Sequence, residues 1–167
     1  AHWQRVVFSN NAKKMLLEPL SHTLMVGLCA AILATLLGAI FAWLVTRTDL
    51  PGRKWLRTLL MVPYMLPSFA IALAWQNIFN SNKIGMPSGF IEGFFGITPP
   101  EWLSLGPIPI IITMVIHYFP FSFLMMSGAL STLDAQLEEG AQILGASRGH
   151  ILRTITLPVV APTLLSA

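Results

Sequence analysis

The chain has 167 residues, 54% of them hydrophobic and 10% charged, with a mean hydropathy of +0.69. Soluble domains carry about 25% charged residues, so this composition excludes a soluble fold and describes a membrane protein. The net charge of +3 is gathered in a few short clusters, which excludes the continuous basic stripe of a nucleic-acid binder, and the single cysteine, Cys29, excludes an intrachain disulfide.

The opening segment "AHWQRVVFSNNAKK" lacks the basic, apolar and small-residue succession of a cleavable signal peptide. It starts at Ala1 with no initiator methionine, as expected of a processed or excised piece. From Pro19 to Thr46 no residue is charged, and this run exceeds the roughly 20 residues needed to cross about 30 Å of hydrocarbon. It is the first predicted span, at about residues 20–46. Gly27, Ala31, Ala34 and Gly38 recur within it at spacings of three and four, giving a face on which another helix can approach closely.

A second uncharged run from Thr58 to Asn82 predicts a span at about 58–80, and a third from Trp102 to Leu133 predicts one at about 107–130. The connection over residues 80–107 is rich in Gly, Pro and Ser and reads as an ordered extramembrane loop with a short helix around Ile91 to Phe95. A last apolar stretch, 151–167, is 17 residues long. At 1.5 Å per residue it covers about 25 Å, so the sequence predicts a fourth span cut short.

Lysine and arginine near the span ends set orientation. The segment "RTDLPGRKWLR" carries Arg47, Arg53, Lys54 and Arg57 against Asp49, whereas residues 80–107 carry Lys83 against Glu92 and Glu101. The first is therefore cytoplasmic, the second lies outside, and the polar stretch 134–153 with Arg148 and Arg153 is inside. Arg5, Lys13 and Lys14 then fall on the outer side, leaving six basic residues in and four out.

The polar stretch interrupts two apolar segments. Ser131 and Asp134 have the spacing of a helix start, Leu133, Leu137, Ala141 and Leu144 recur at helical spacing, and Gly145 supplies a stop. The predicted helix, 133–145, has an apolar side and a polar one bearing Glu138, Glu139 and Gln142. Two readings follow from periodicity: an interfacial helix resting on headgroups, or a knob presented to a protein partner. Its acidity favours the partner, because anionic lipid repels carboxylates.

Glu139-Gly140-Ala141, then Gly145, then nine residues, then Ile155-Thr156-Leu157-Pro158 resembles the E-A-A-x3-G-x9-I-x-L-P signature of membrane subunits of binding-protein-dependent ABC importers. The departure is Gly140 in place of alanine, which loosens a helix by about 1 kcal/mol. "TRTDLPGRKWLRTLLMVPYMLPSFAIALAW" and "IHYFPFSFLMM" are similar to permeases of the ferric-iron, thiamine and phosphonate group. The resemblance implies an all-α, polytopic helical membrane protein of the type I ABC importer transmembrane fold, a single permease domain over 1–167 in the bacterial inner membrane. Residues 133–145 would be its coupling helix. Glu138 and Glu139 would then face the ATPase, Glu139 as polar anchor, with Gly140 and Ala141 as small contact positions and Gly145 as the turn. Ile155, Leu157 and Pro158 would begin the next span. It further implies two cytoplasmic ATP-binding subunits, an external solute-binding protein, a second permease subunit or half, surrounding lipid, and ferric iron first among small solutes.

Polar and helix-breaking residues at membrane depth point to a transport path. In the second span these are Tyr64, Pro67 and Ser68 with Pro63, and in the third His117, Tyr118 and Ser122 with Pro120. The two clusters are expected to face each other across a pore; packing kinks with hydroxyls bonded back to the chain are the other reading. His117 has no second ligand nearby in sequence, so no metal site is expected. Trp43, Trp75 and Trp102 lie near span ends as interface anchors. No phosphate-binding loop, activated nucleophile or carboxylate pair is present, so no catalytic residue or cofactor is expected on this chain; ATP and Mg belong to the ATPase. Without the family likeness, a secondary transporter or channel-like protein with a lipid-lying helix remains the alternative.

Overall fold

The computed structural model describes residues 13–132 and, between 140 and 162, all but 142, 157 and 159. The described elements are helical. A π-helical turn at Lys13–Leu17 leads into α1 (Glu18–Arg47), followed by α2 (Arg53–Met65), α3 (Ser68–Phe79), a 3-10 turn (Asn82–Ile84), α4 (Phe90–Phe95), α5 (Glu101–Ser104), α6 (Pro107–Thr132), and α7 (Arg148–Ile151) with a π-helical turn at Leu152–Thr156. Residues 14–47 and 107–131 are each long and apolar enough to cross a membrane. The predicted fourth span, 151–167, and the helix 133–145 lie only partly within the described residues.

The second predicted span is not one helix. Leu66 leaves helical geometry at ψ 140 and donates its N–H to the Pro63 carbonyl, and across Leu66–Pro67 the axes of α2 and α3 bend by 95°. Proline disfavours helical geometry in the residue before it, which is why the break falls at Leu66.

By contacts the chain divides into residues 1–32 with 72–113, and residues 33–71 with 114–167. In the second unit, Ala34, Ala42, Val45, Leu60, Phe119, Phe123, Met126, Leu130 and Val160 form a buried core drawn from α1, α2, α6 and the last described segment. Phe41 and Phe119 rings pack tilted at 5.8 Å. Gly38 is the closest approach: a Cβ there would lie 2.7 Å from the Phe123 nitrogen and 2.9 Å from the Phe119 carbonyl oxygen. Further along, the Arg47 guanidinium donates to the Leu130 carbonyl at 3.2 Å. Contact therefore advances in the same direction on both helices, so α1 and α6 run parallel. The end of α1 and the Leu130 end of α6 therefore lie on one face. Of the predicted small-residue face, Ala34 and Gly38 meet α6, but Ala31 is exposed and Gly27 has nothing within 4 Å; the buried positions are Ala30, Ala34, Gly38, Ala42 and Val45.

In the first unit, the outer half of α1 presents Leu20, Leu24, Met25, Leu28 and Ile32, each more than half exposed, as an apolar surface that lipid can cover. The loop after α3 is fixed by its own polar groups. Glu92 Oε1 accepts from Ser81 Oγ at 3.1 Å and Glu92 Oε2 from the Asn82 N–H at 2.8 Å. Gly89 donates to the Asn80 carbonyl at 2.8 Å and leaves no room for a Cβ, which would come within 2.8 Å of the Asn80 nitrogen. Lys83 pairs with Glu101 at 3.8 Å, an exposed contact of small energetic weight. Replacing Glu92 with alanine removes two charge-assisted bonds and leaves the buried Ser81 hydroxyl, which still accepts from the Lys83 N–H, without an acceptor for its proton, at a cost of about 2 kcal/mol. We expect a lowered melting temperature in detergent, with Glu92→Gln recovering about half of the loss because it retains one acceptor.

Candidate functional site

The end of α1 and residue 132 of α6 lie on one face, with the basic segment Arg47 to Arg57 beside them. Arg47 closes α1, the basic segment through Arg57 follows, and residues 133–145 leave from α6. Ser131 is itself helical, within α6, and donates its hydroxyl back to the Gly128 carbonyl at 2.7 Å, so it does not cap a helix start as its spacing predicted. Of the signature, Glu138, Glu139 and Leu157 lie outside the described residues. Gly140 and Ala141 are helical, and at Gly145 φ is +85. The Ala146 N–H reaches the Ala141 carbonyl at 3.0 Å and the Leu144 N–H the Gly140 carbonyl at 3.2 Å, the six-to-one closure that ends a helix through a left-handed glycine. Ile143 and Leu144 are 86% and 89% exposed, so the end of this helix offers an uncovered apolar tip. Ile155 falls in the π-helical turn Leu152–Thr156, and Pro158 is exposed in a helical conformation.

Of the path candidates, the structure brings Tyr64 and His117 together, their rings stacked at 6.2 Å and 24°. Tyr118 meets His117 edge-on at 4.9 Å. Tyr64 and Tyr118 are half exposed, and His117 Nδ1 is buried without a hydrogen-bond partner among the described residues. Ser68, at the start of α3, is exposed beside Pro67 at the bend. Ser122 is separated from this group by its burial, 4% exposed beneath Gly38, where a larger α1 residue would strike its Cβ. Among the described residues no three His, Cys, Asp or Glu side chains converge as metal ligands would.

A second concavity lies in the other unit. A cleft of about 190 Å³ is bounded by Trp75, Gln76, Ser104, Leu105, Pro109 and Thr113. Its rim is rigid: Trp75 Nε1 donates to the Leu103 carbonyl at 3.0 Å, Ser104 Oγ to the Phe79 carbonyl, and Thr113 Oγ1 to its own helix. Trp75 is thus tied into the outer loop, a contact that its position near a span end did not reveal. Sequence reasoning also missed Arg47 as a structural contact, having counted it as a topological charge.

Residues 34–167 match the model of the binding-protein-dependent transport system inner membrane component. Among curated proteins, the chain is 34% identical to the galactooligosaccharides transport system permease protein GanP of Bacillus subtilis over 146 residues, 86% of this chain and 35% of that one. It is 31% identical to the sulfate transport system permease protein CysT of Salmonella typhimurium, over 86% of this chain and 50% of that one. Against the trehalose/maltose transport system permease protein MalF of Thermococcus litoralis, identity is 33% over 81% of this chain and 46% of that one. The chain spans half or less of the length of each of these three relatives.

Proposed function

We propose, since this chain belongs to the family of binding-protein-dependent transport system inner membrane components, that it is part of a permease subunit of an ATP-driven importer: its spans line a solute path and its polar segment docks on a separate cytoplasmic ATPase. The observation that supports the docking reading is the parallel course of α1 and α6, by which α6 reaches residue 132 on the face where Arg47 ends α1 and the basic segment through Arg57 begins. A stiff helix stopped at Gly145 transmits force where a flexible loop would absorb it. ATP and Mg act on the partner ATPase, a binding protein delivers solute from outside, and a second permease subunit or half completes the path. ATP binding draws the ATPases together, the docked helices follow, and the spans alternate between inward and outward access. Tyr64, His117 and Tyr118 supply a polar aromatic wall for that path.

The solute is a small hydrophilic one. Likeness of the span sequences to the ferric-iron, thiamine and phosphonate group supports ferric iron, whereas the relatives named above carry sulfate and sugars. Uptake of 55Fe, 35S-sulfate and 14C-maltose into cells carrying the full transporter distinguishes the three. The docking assignment is tested by Glu139→Lys. The expected result is loss of ATPase co-purification and a fall in uptake of at least about tenfold, since a reversed charge in a docking cleft costs more than 1.4 kcal/mol. Unchanged co-purification and uptake would remove the assignment.

A further inference from the structure

Three side chains at the end of α1, Thr46, Arg47 and the following Thr48, could reach a neighbour, and two do not. Thr46 Oγ1 folds back on the Ala42 carbonyl at 2.7 Å and Thr48 Oγ1 on the Leu44 carbonyl. Arg47 crosses to α6 and takes the Leu130 carbonyl at 3.2 Å. Leu130 lies two residues before Thr132, so the contact joins the end of α1 to the part of α6 that leads into residue 133. Beneath it the side chains of Ala42, Val45, Met126 and Leu130 are buried together, so the contact closes the end of a packed seam. The seam's other fixed point is Gly38 against Phe119 and Phe123. Two attachments, one steric and one polar, make this part of α1 and α6 a single stiff body, and residue 133 follows directly from it.

We propose that Arg47 is a positioning residue for energy coupling: by holding the Leu130 carbonyl it ties α6 to the end of α1 close to where residues 133–145 follow, so that motion delivered through those residues displaces α1 and α6 together. Without this strap, α6 can move and leave α1 behind. The inference rests on the importer reading above.

The experiment uses the full transporter with its ATPase and loaded binding protein in liposomes, comparing wild type, Arg47→Met and Arg47→Lys. Uptake of whichever of the three labelled probes the transporter carries is measured beside ATP hydrolysis in the same vesicles. Methionine keeps length and bulk but donates nothing; lysine keeps a charge and one donor group. The expected result is a fall in solute carried per ATP of about tenfold for Arg47→Met, within the range of ordinary coupling energies, with Arg47→Lys restoring most of it. A purely structural role lowers uptake and hydrolysis in proportion, because damaged complexes lose both, and a ratio unchanged from wild type overturns the proposal even if assembly is poor. Equal loss of the ratio in both variants overturns it too, since lysine retains the contact. If wild type itself shows no coupled hydrolysis, the importer reading falls and this inference with it; if wild type couples and Arg47→Met couples equally, only the inference falls.

Discussion

Gly38→Leu is expected to abolish folded transporter, and even Gly38→Ala to destabilise it. At most glycines in a helix an alanine is a gain, worth about 1 kcal/mol in propensity. At Gly38 the added methyl falls 2.7 Å from both the Phe123 nitrogen and Ser122 Cβ, and 2.9 Å from the Phe119 carbonyl oxygen. Two of those three atoms are backbone and cannot rotate aside, so the helices must separate along the seam that buries Ala34, Ala42, Phe123 and Met126. Overpacking of this kind costs about 1–3 kcal/mol, and contact with backbone puts Gly38→Ala at the upper end, a net loss of about 2 kcal/mol after the propensity gain. Leucine adds three further carbons and exceeds what the seam can open to admit. Gly27→Ala, on the same helix with nothing within 4 Å, is the control and leaves stability unchanged or raised. Thermal unfolding in detergent, followed by loss of the monodisperse peak, orders the variants. A melting temperature for Gly38→Ala equal to wild type would disprove the close crossing.

That crossing marks how far the sequence could be read. The first span was legible because an uncharged run from Pro19 to Thr46 has no alternative to a membrane helix, and the outer helix near Ile91 because glycines bracket it. The stripe of small residues was legible as a property of α1, but not which of its neighbouring faces meets α6. That choice depends on the partner's bulky residues, and it brought in Ala42 and Val45 in place of Gly27 and Ala31. Hydropathy gave the second span its length and hid its break, because an apolar run reads alike whether it is straight or bent by 95° at Leu66–Pro67. Of the two polar clusters, Tyr64 stacks on His117, while Ser122 turns inward. Charged residues were the least legible. Glu92 and Arg47 entered only as counts for orientation, yet each makes a specific contact, with Ser81 and Asn82 in one case and the end of α6 in the other. Spacing within one element cannot reveal a partner some 80 residues away.

Gly145→Val produces the opposite kind of defect: transport fails while the protein remains folded. A Cβ at Gly145 meets nothing within 4 Å, so no clash arises. The constraint is the backbone, at φ +85, where an L-residue pays roughly 1–2 kcal/mol and a β-branched one more. That local cost competes with the closure between the Ala146 N–H and the Ala141 carbonyl, so the substituted chain relieves strain by unwinding the helix end and re-aiming Ile143 and Leu144. A docking element that must present one fixed tip is then mobile. Uptake should fall in the order glycine, asparagine, alanine, valine, because asparagine tolerates the left-handed region and valine least of all. Asparagine should retain at least half of wild-type uptake, and valine should lose about tenfold or more, the equivalent of 1.4 kcal/mol. The melting temperature should hardly move across the series, since no buried contact is lost. Melting that fell in step with uptake would assign Gly145 to the folded core, and equal uptake for asparagine and valine would show that the left-handed turn does not govern how the tip is presented.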